Sequence, residues 1–299
     1  MNLRRENDIL EKTLSLAEEA YGAAYRFLLL EYERRPDDFG PQALYFLACL
    51  AGGDGQSEQA LMWLDKSIRE NGWWYRPEVL EDDDLASLAE HPAFLALKAT
   101  SDARYAQAAA ASKAVFSWEG KTADKLFLAV HGNTQNAQVA REDWRPLLGS
   151  DWQLETIQSA EPDGYGTFRW SYDMASSVPV ADAIEKMHGA GYERIACGGF
   201  SAGCDMLLRA ITFSPARCDA LVLQSPWIPM LEAHGDALIE ALRRKDIRVK
   251  ILCGSEDEDC LPMAEQLHDL LQRAGVPAEL TIQPGNRHQF PETEALPGA

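Results

Sequence analysis

The chain has 299 residues, more than one small core requires, so two domains are the natural expectation. Its 46% hydrophobic and 25% charged residues are ordinary for a folded globular protein and exclude disorder of the whole chain. Twenty-eight basic against 47 acidic residues give a formal net charge of −19, which argues against nucleic acid or an anionic membrane surface as partner, because both select positive charge.

The first residues, Met1 to Asp8, are interrupted by acids and lead into no apolar run, so they do not read as a signal peptide. The most apolar early stretch, Phe27 to Leu30, is far too short to span a bilayer. Cys49, Cys197, Cys204, Cys218, Cys253 and Cys260 form no C-x-x-C pair and fall in apolar segments. Free buried thiols in a reducing cytosol are expected, and with them a cytoplasmic protein.

Residues 1–112 carry helical spacing. Ile9, Leu10, Leu14, Ala17, Tyr21 and Ala24 recur on one helical face. Asp38, Gly40 and Pro41 punctuate the chain, and a second helix follows near 41–51. Gly52 to Gly55 break it, and a third runs near 56–70. Tyr45, Ala48, the turn glycines, Ala60 and Leu64 resemble a single tetratricopeptide-type unit, where small residues let two antiparallel helices approach. Stable arrays need about three such units, so this one must pack on something else. Asp82 to Asp84 then start further helix, and Ala106 to Ser112 form an alanine-rich end and linker.

From about 113 the rhythm changes to short β-type runs alternating with helices. Strands are expected at 126–130, 154–157, 194–197, 220–223, 249–252 and 279–282, with helices at 178–187, 202–212, 231–243 and 263–274 between them. The expected fold is α/β: a mostly parallel, doubly wound sheet, preceded by a small all-helical domain. The domains are 1–112 and 113–299. Active residues in such a sheet sit at the carboxyl ends of strands.

Gly199-Phe200-Ser201-Ala202-Gly203 joins an expected strand to an expected helix. A sharp turn there lifts a serine clear of the backbone, and flanking glycines remove side chains that would collide. Ser201 is therefore the candidate nucleophile. Serine needs a base, and the base needs an orienting acid, following in that fold in the order Ser, Asp, His. After the strand at 249–252 comes Gly254-Ser255-Glu256-Asp257-Glu258-Asp259. Asp257 is the first choice of acid, Asp259 the second and Glu256 the third. After the last strand comes Gly285-Asn286-Arg287-His288, and His288 is the candidate base. His91, His188, His234 and His268 sit where surface or core histidines are ordinary. The oxyanion needs two N–H donors: Ala202, just after the nucleophile, and one from His131-Gly132-Asn133-Thr134 after the first strand. Asn133 is preferred, with Thr134 as alternative, and His131 reads as structural.

Val130-His131-Gly132-Asn133, the Ser201 motif, Gly254 to Asp257 and Gly285 to His288 together resemble the α/β-hydrolase superfamily, over roughly residues 120–291. Within it they resemble the carboxylesterase/phospholipase and dienelactone-hydrolase types. Serine stands where dienelactone hydrolases carry cysteine, which favours a serine esterase or peptidase. The resemblance implies no metal and no organic cofactor, and the chain has no H-E-x-x-H, paired C-x-x-C or phosphate-binding glycine loop.

For substrate contacts, the aromatic segment Gly164 to Asp173 offers Phe168 and Trp170, and Trp227 follows another strand end; Arg169 is a candidate for recognising a carboxylate. The expected activity is cleavage of small or medium carboxylic esters through an acyl-enzyme, so the expected partner is a small-molecule ester. The same triad would serve a peptidase or thioesterase. The remaining alternative is a protein-binding scaffold. Its N-terminal helices would then form a protein contact or a homo-oligomer contact, or cap the site.

Overall fold

A computed structural model describes residues 3–290; residues 1, 2 and 291–299, among them Pro291 of the expected histidine loop, lie outside that description. By packing, the chain divides into two units. One holds the residues up to Ser112 together with Pro162–Thr167, and the other holds Lys113–Glu161 together with the residues from Phe168 onward.

The helical unit contains α1 (Leu3–Ala17), α2 (Tyr21–Arg34), α3 (Pro41–Gly53), α4 (Ser57–Asp65) and α5 (Pro92–Ala111). The apolar spacing from Ile9 to Ala24 reads as one helix, but the chain breaks at Ala20, whose backbone is extended. No glycine or proline marks that break. It lets α1 and α2 fold back on each other and bury Leu10, Ala24 and Leu28 together. The pair α3 and α4 is the expected helix–turn–helix, with Ala48 and Ala60 fully buried. The expected third helix ends early, and a wider π turn continues it over Lys66–Glu70. Glu6 of α1 accepts from the amides of Gly40 and Ala43 at 3.0 and 2.9 Å, so a side-chain carboxyl oxygen from one helix caps the start of another.

The second unit runs β1 (Val115–Phe116), β2 (Lys125–Val130), α6 (Ala137–Trp144), β3 (Trp152–Gln158), β4 (Glu161–Gly164), β5 (Thr167–Arg169), α7 (Met174–His188), β6 (Arg194–Phe200), α8 (Ala202–Phe213), β7 (Ala220–Gln224), α9 (Met230–Lys245), β8 (Arg248–Gly254), α10 (Leu261–Arg273) and β9 (Ala278–Gln283). Seven strands form one sheet in the order β1-β3-β2-β6-β7-β8-β9. All neighbours are parallel except β1, which pairs antiparallel with β3. The expected α/β class, a mostly parallel sheet beside a helical region, is the observed one.

Central strands such as β2 are apolar on both faces because both faces are covered. Residues of α7, α8, α9 and α10 bury one face with Leu128, Cys197 and Ile251. Trp144 of α6 packs the other with Phe127 and Phe290. The helices are seated by side chains. Asn136 and Asp173 cap α6 and α7, each accepting an amide at 2.9 Å. Lys245 donates to the carbonyls of Ile211, Ser214 and Ala216, closing the end of α8. The chain leaves β2 toward β3 on one side and returns on the other at β6. The carboxyl ends of these adjacent strands therefore flank a topological switch point, where such sheets place their chemistry.

Two short elements were not legible from periodicity: the two-residue β1, and the β4–β5 hairpin inside the aromatic segment. The tip of that hairpin counts with the helical unit. There Asp163 accepts from Arg76 at 2.9 Å, and Tyr165 packs on Trp73 and Trp74.

Candidate active site

Ser201 is the single residue between β6 and α8, and it holds a φ of 51° and a ψ of −122°. A non-glycine residue in that region is strained by about 1–3 kcal/mol, so its surroundings must impose it. The Ser201 amide donates to Gln224 O at 3.0 Å, and its carbonyl accepts from Cys204 N at 3.0 Å. The flanking glycines are sterically required. A Cβ on Gly199 would stand 2.7 Å from Cys204 N, and one on Gly203 2.6 Å from the carbonyl oxygens of Val130 and His131. Ala202 opens α8, so its N–H belongs to the first turn, where donors lack helical partners and negative charge is favoured.

Asp257 follows β8 and is 4% exposed. Its Oδ2 lies 3.0 Å from His288 Nδ1, and its Oδ1 accepts from Cys260 N at 3.2 Å. Burial pushes this carboxyl up, but the His288 hydrogen bond and charge, the Ser225 hydroxyl and the Cys260 amide together hold it below the usual aspartate range. It therefore stays ionised and faces the imidazole. Glu256 and Asp259 are both exposed, and Glu256 pairs instead with Arg287 at 3.7 Å. The His288 ring lies 4.9 Å from the ring of Phe200, the residue before Ser201. Among the described residues its hydrogen bonds run to Asp257 and Cys260 rather than to Ser201. Catalytic serine–histidine contacts are commonly long without substrate and tighten when it binds.

The loop after β2 is rigidly held. His131 is fully buried: its Nε2 accepts from Ser159 N at 3.1 Å, so Nδ1 carries the proton and donates to Gly132 O at 2.7 Å. Burial lowers this imidazole to about 4, so it is neutral and structural at ordinary pH. The Asn133 side chain is committed on both atoms, accepting from Trp170 N at 2.8 Å and donating to Tyr172 OH at 3.1 Å. What Asn133 can still offer an oxyanion is its backbone N–H. Thr134, the alternative donor, holds a φ of 60° and donates its hydroxyl to Asn133 O at 2.6 Å.

Residues 5–109 match the family model described as the A/B hydrolase-like, N-terminal domain. An uncharacterized protein from Bacillus cereus ATCC 10987 aligns in structure over 95% of this chain and 93% of its own, with a TM-score of 0.53 and 26% identity. The family match and the structural likeness support the α/β-hydrolase superfamily for this chain. Other similar structures cover the sheet-bearing part. Zea mays acyl-protein thioesterase 2 has 17% identity over 60% of this chain and 93% of that one, with a TM-score of 0.48. A Mesorhizobium loti carboxylesterase has 17% identity with the same coverage and a TM-score of 0.44. No curated protein matches the chain.

Within this α/β-hydrolase fold the remaining candidates separate by exposure. Trp227 and Phe168 are half-buried. Trp227 donates its amide to Ser201 O at 3.3 Å, and Phe168 donates to Gln135 O at 2.8 Å. Trp170 differs from an exposed pocket wall: it is 1% exposed, and its indole N–H donates to His131 O at 2.8 Å, so it props the β2 loop. Arg169 is half-buried. His91 caps α5, His188 accepts from Arg217, and His268 meets Gln272 in α10, all as surface histidines. A cavity of about 490 Å³ lined by Arg194, Val222, Arg248 and Lys250 opens at the amino ends of the strands, away from this chemistry.

Motif reading missed Gln135, Ser225 and Cys260. Gln135 accepts from Gly132 N at 2.9 Å, Ser225 holds a φ of 44° beside Asp257, and Cys260 Sγ lies 3.5 Å from His288 Nδ1. The positive φ of Ser225 has no glycine to announce it, Gln135 turns back on an amide of its own loop, and Cys260 acquires its partner only when distant loops meet.

Proposed function

We propose that the chain is a serine hydrolase cleaving carboxylic esters of small or medium acyl groups through an acyl-enzyme. Ser201 Oγ attacks the ester carbonyl carbon while His288 Nε2 takes its proton. Asp257 holds the Nδ1 proton and stabilises the imidazolium that forms. The developing oxyanion is received by the N–H groups of Ala202 and Asn133. Collapse breaks the ester C–O bond, and His288 protonates the departing alcohol. Water then repeats the sequence on the acyl-enzyme, and the acid leaves. Trp227 and Phe168 line the acyl side. One observation carries this reading: a buried carboxylate paired at 3.0 Å with His288, whose ring lies 4.9 Å from that of Phe200, the residue before the strained Ser201.

Residues 1–112 form the accompanying domain, and we assign them a protein or self-association contact through exposed Leu14, Leu30, Met62 and Leu95. Light scattering of the full chain checks that assignment, and a strictly monomeric protein that binds no partner removes it. Six unpaired thiols support a reducing, cytoplasmic setting. No helix of the described residues is long and apolar enough to cross a membrane.

A fluorescent fluorophosphonate tests the mechanism. The folded protein is expected to label, and Ser201→Ala is expected not to. Nitrophenyl acyl esters, acyl thioesters and aminoacyl amides, assayed side by side, then identify the bond. Labelling that survives Ser201→Ala overturns the mechanism, and inactivity on the esters alone overturns the ester assignment.

A further inference from the structure

We propose that Asp257, Cys260 and His288 form a binding site for a soft divalent cation such as Zn²⁺, and that filling it switches hydrolysis off. The three come from two loops, the first two after β8 and the third after β9. His288 Nδ1 lies 3.0 Å from Asp257 Oδ2 and 3.5 Å from Cys260 Sγ, and all three ligand atoms fall within 4.8 Å of one another. Zinc bonds of about 2.0 Å to nitrogen and oxygen and about 2.3 Å to sulfur set tetrahedral edges of about 3.3 Å for N–O and about 3.5 Å for N–S. The two His288 distances already stand close to those edges, and the Asp257–Cys260 pair lies within 4.8 Å, so an ion can draw the three together with small side-chain shifts.

The donor set suits zinc: one thiol, one imidazole and one carboxylate. The His288 side chain is 30% exposed, which leaves an approach for the ion and a fourth position for water. The charges also close, since a dication with one thiolate, one carboxylate and a neutral imidazole is neutral overall. That is the condition for stability in a buried place. Cys260 is 1% exposed, and without a cation burial and the Asp257 charge keep its proton on sulfur. Coordination removes it.

The proton balance explains the switch. Zn²⁺ takes the Nδ1 lone pair and the Cys260 sulfur. The thiol proton leaves to water, and the imidazole proton ends on Nε2. Nothing is oxidised or reduced. An Nε2 that carries a proton cannot accept one from Ser201, and Asp257 no longer orients the ring. The switching rests on the serine-hydrolase mechanism, and the binding does not.

Two measurements separate these halves. The full-length Ser201→Ala protein, which needs no activity, is titrated with Co²⁺ and read by its thiolate-to-cobalt charge-transfer band. A band is expected, with loss in the added variant Cys260→Ser. It should be retained with Cys49→Ser, which tests the other such grouping, Cys49 with Asp82 and Asp84. The protein carrying Ser201 is assayed on a nitrophenyl ester against buffered free Zn²⁺. Micromolar Zn²⁺ should cut its rate at least tenfold, reversibly with EDTA, and Cys260→Ser should raise the Zn²⁺ midpoint at least tenfold relative to its own metal-free rate. No band in the folded protein, or a band that Cys260→Ser leaves intact, overturns the site. A Cys260-dependent band with an unchanged Zn²⁺ midpoint overturns the switch. A metal-free protein with no hydrolysis sinks the serine-hydrolase reading, while the band still decides the site.

Discussion

Gly254 lies directly against Asn286: a Cβ on Gly254 would stand 2.1 Å from the Asn286 carbonyl oxygen and 2.5 Å from that of Arg287. The loop that carries the acid and the loop that carries the histidine therefore touch backbone to backbone. Glu256 N donates to Asn286 O at 2.9 Å, Ser255 N to Gln283 O at 3.0 Å, and Gly285 N to the Ser255 hydroxyl at 2.9 Å. Gly254→Ala must push the loops apart. It is expected to cost about 1–3 kcal/mol of stability, as overpacking does, and to lower kcat at least tenfold by lengthening the Asp257–His288 bond. Gly235→Ala is the matched control. Gly235 lies inside α9, and its added methyl would meet only Leu270 at 3.8 Å, so it should stabilise by about 0.5–1 kcal/mol. Denaturant melts and ester kinetics on both variants check this, and equal effects would refute the argument.

Asp257→Asn keeps the shape of the acid and removes its charge. The amide can hold the wrong tautomer of His288, and kcat is expected to fall by about 10⁴-fold with little change in KM. The stability effect has a definite sign. The folded carboxyl sits below its ordinary 3.8, so its contribution is complete above that value and disappears as pH falls below it. Asp257→Asn should therefore lack part of the acid limb of the wild-type stability curve. An unchanged kcat, or an acid limb identical to the parent, would sink the assignment.

Much of this site was legible because its motifs are local. The Gly-x-Ser-x-Gly spacing specifies a turn that only glycines tolerate, and β6 and α8 on either side are long and periodic. The choice among Glu256, Asp257 and Asp259 was weaker for a physical reason. These three stand in a run of four consecutive acids, 256–259, and differ in sequence little except by position, whereas burial against His288 is a property of two loops meeting. The aromatic segment misled for a similar reason. Trp170 and Tyr165 look alike in sequence, yet one is sealed under the β2 loop and the other sits on Trp73 and Trp74 of the helical unit. The reversal between α1 and α2 left no breaker residue, so spacing alone ran them together.

Two buried groups give the units opposite responses to pH. Burial lowers His131 from 6.5 to about 4, so the folded state binds fewer protons than the unfolded one between these values. Its stabilisation is complete above 6.5 and is lost as pH falls toward 4, about 3 kcal/mol at most. Burial raises Glu6 from 4.5 to about 7, against the Ala43 and Gly40 amides that favour its charge. Its contribution is complete below 4.5 and is lost as pH rises through 7. Hydrogen exchange read separately on α3 and on the β2 loop should show protection of α3 falling, and that of the loop rising, between pH 5 and 7 (about those limits). Glu6→Gln should flatten the first trend and His131→Gln the second. Parallel trends in the two units would contradict both assignments.

Asp205 and Arg209 form a buried pair on α8, the helix that follows Ser201. Arg209 Nε donates to Asp205 Oδ2 at 2.5 Å, with the residues 0% and 7% exposed. The second oxygen, Asp205 Oδ1, accepts from Met230 N at 3.0 Å, tying α8 to the start of α9 just beyond Trp227. Burial pushes the Asp205 carboxyl above its ordinary value despite the Arg209 bond and charge and the Met230 amide. Desolvation thus outweighs attraction for this carboxylate, and the pair fixes a geometry more than it adds stability. Arg209→Met alone leaves a buried carboxylate without its partner and should cost about 3–5 kcal/mol. Adding Asp205→Asn keeps an acceptor for Met230 N and removes the stranded charge, so the double variant should recover most of that loss. It should also restore KM for bulky acyl esters, because the Trp227 loop is again held against Ser201. A double variant as unstable as Arg209→Met would mean that packing of the arginine stem, rather than the charge pair, secures the helix behind Ser201.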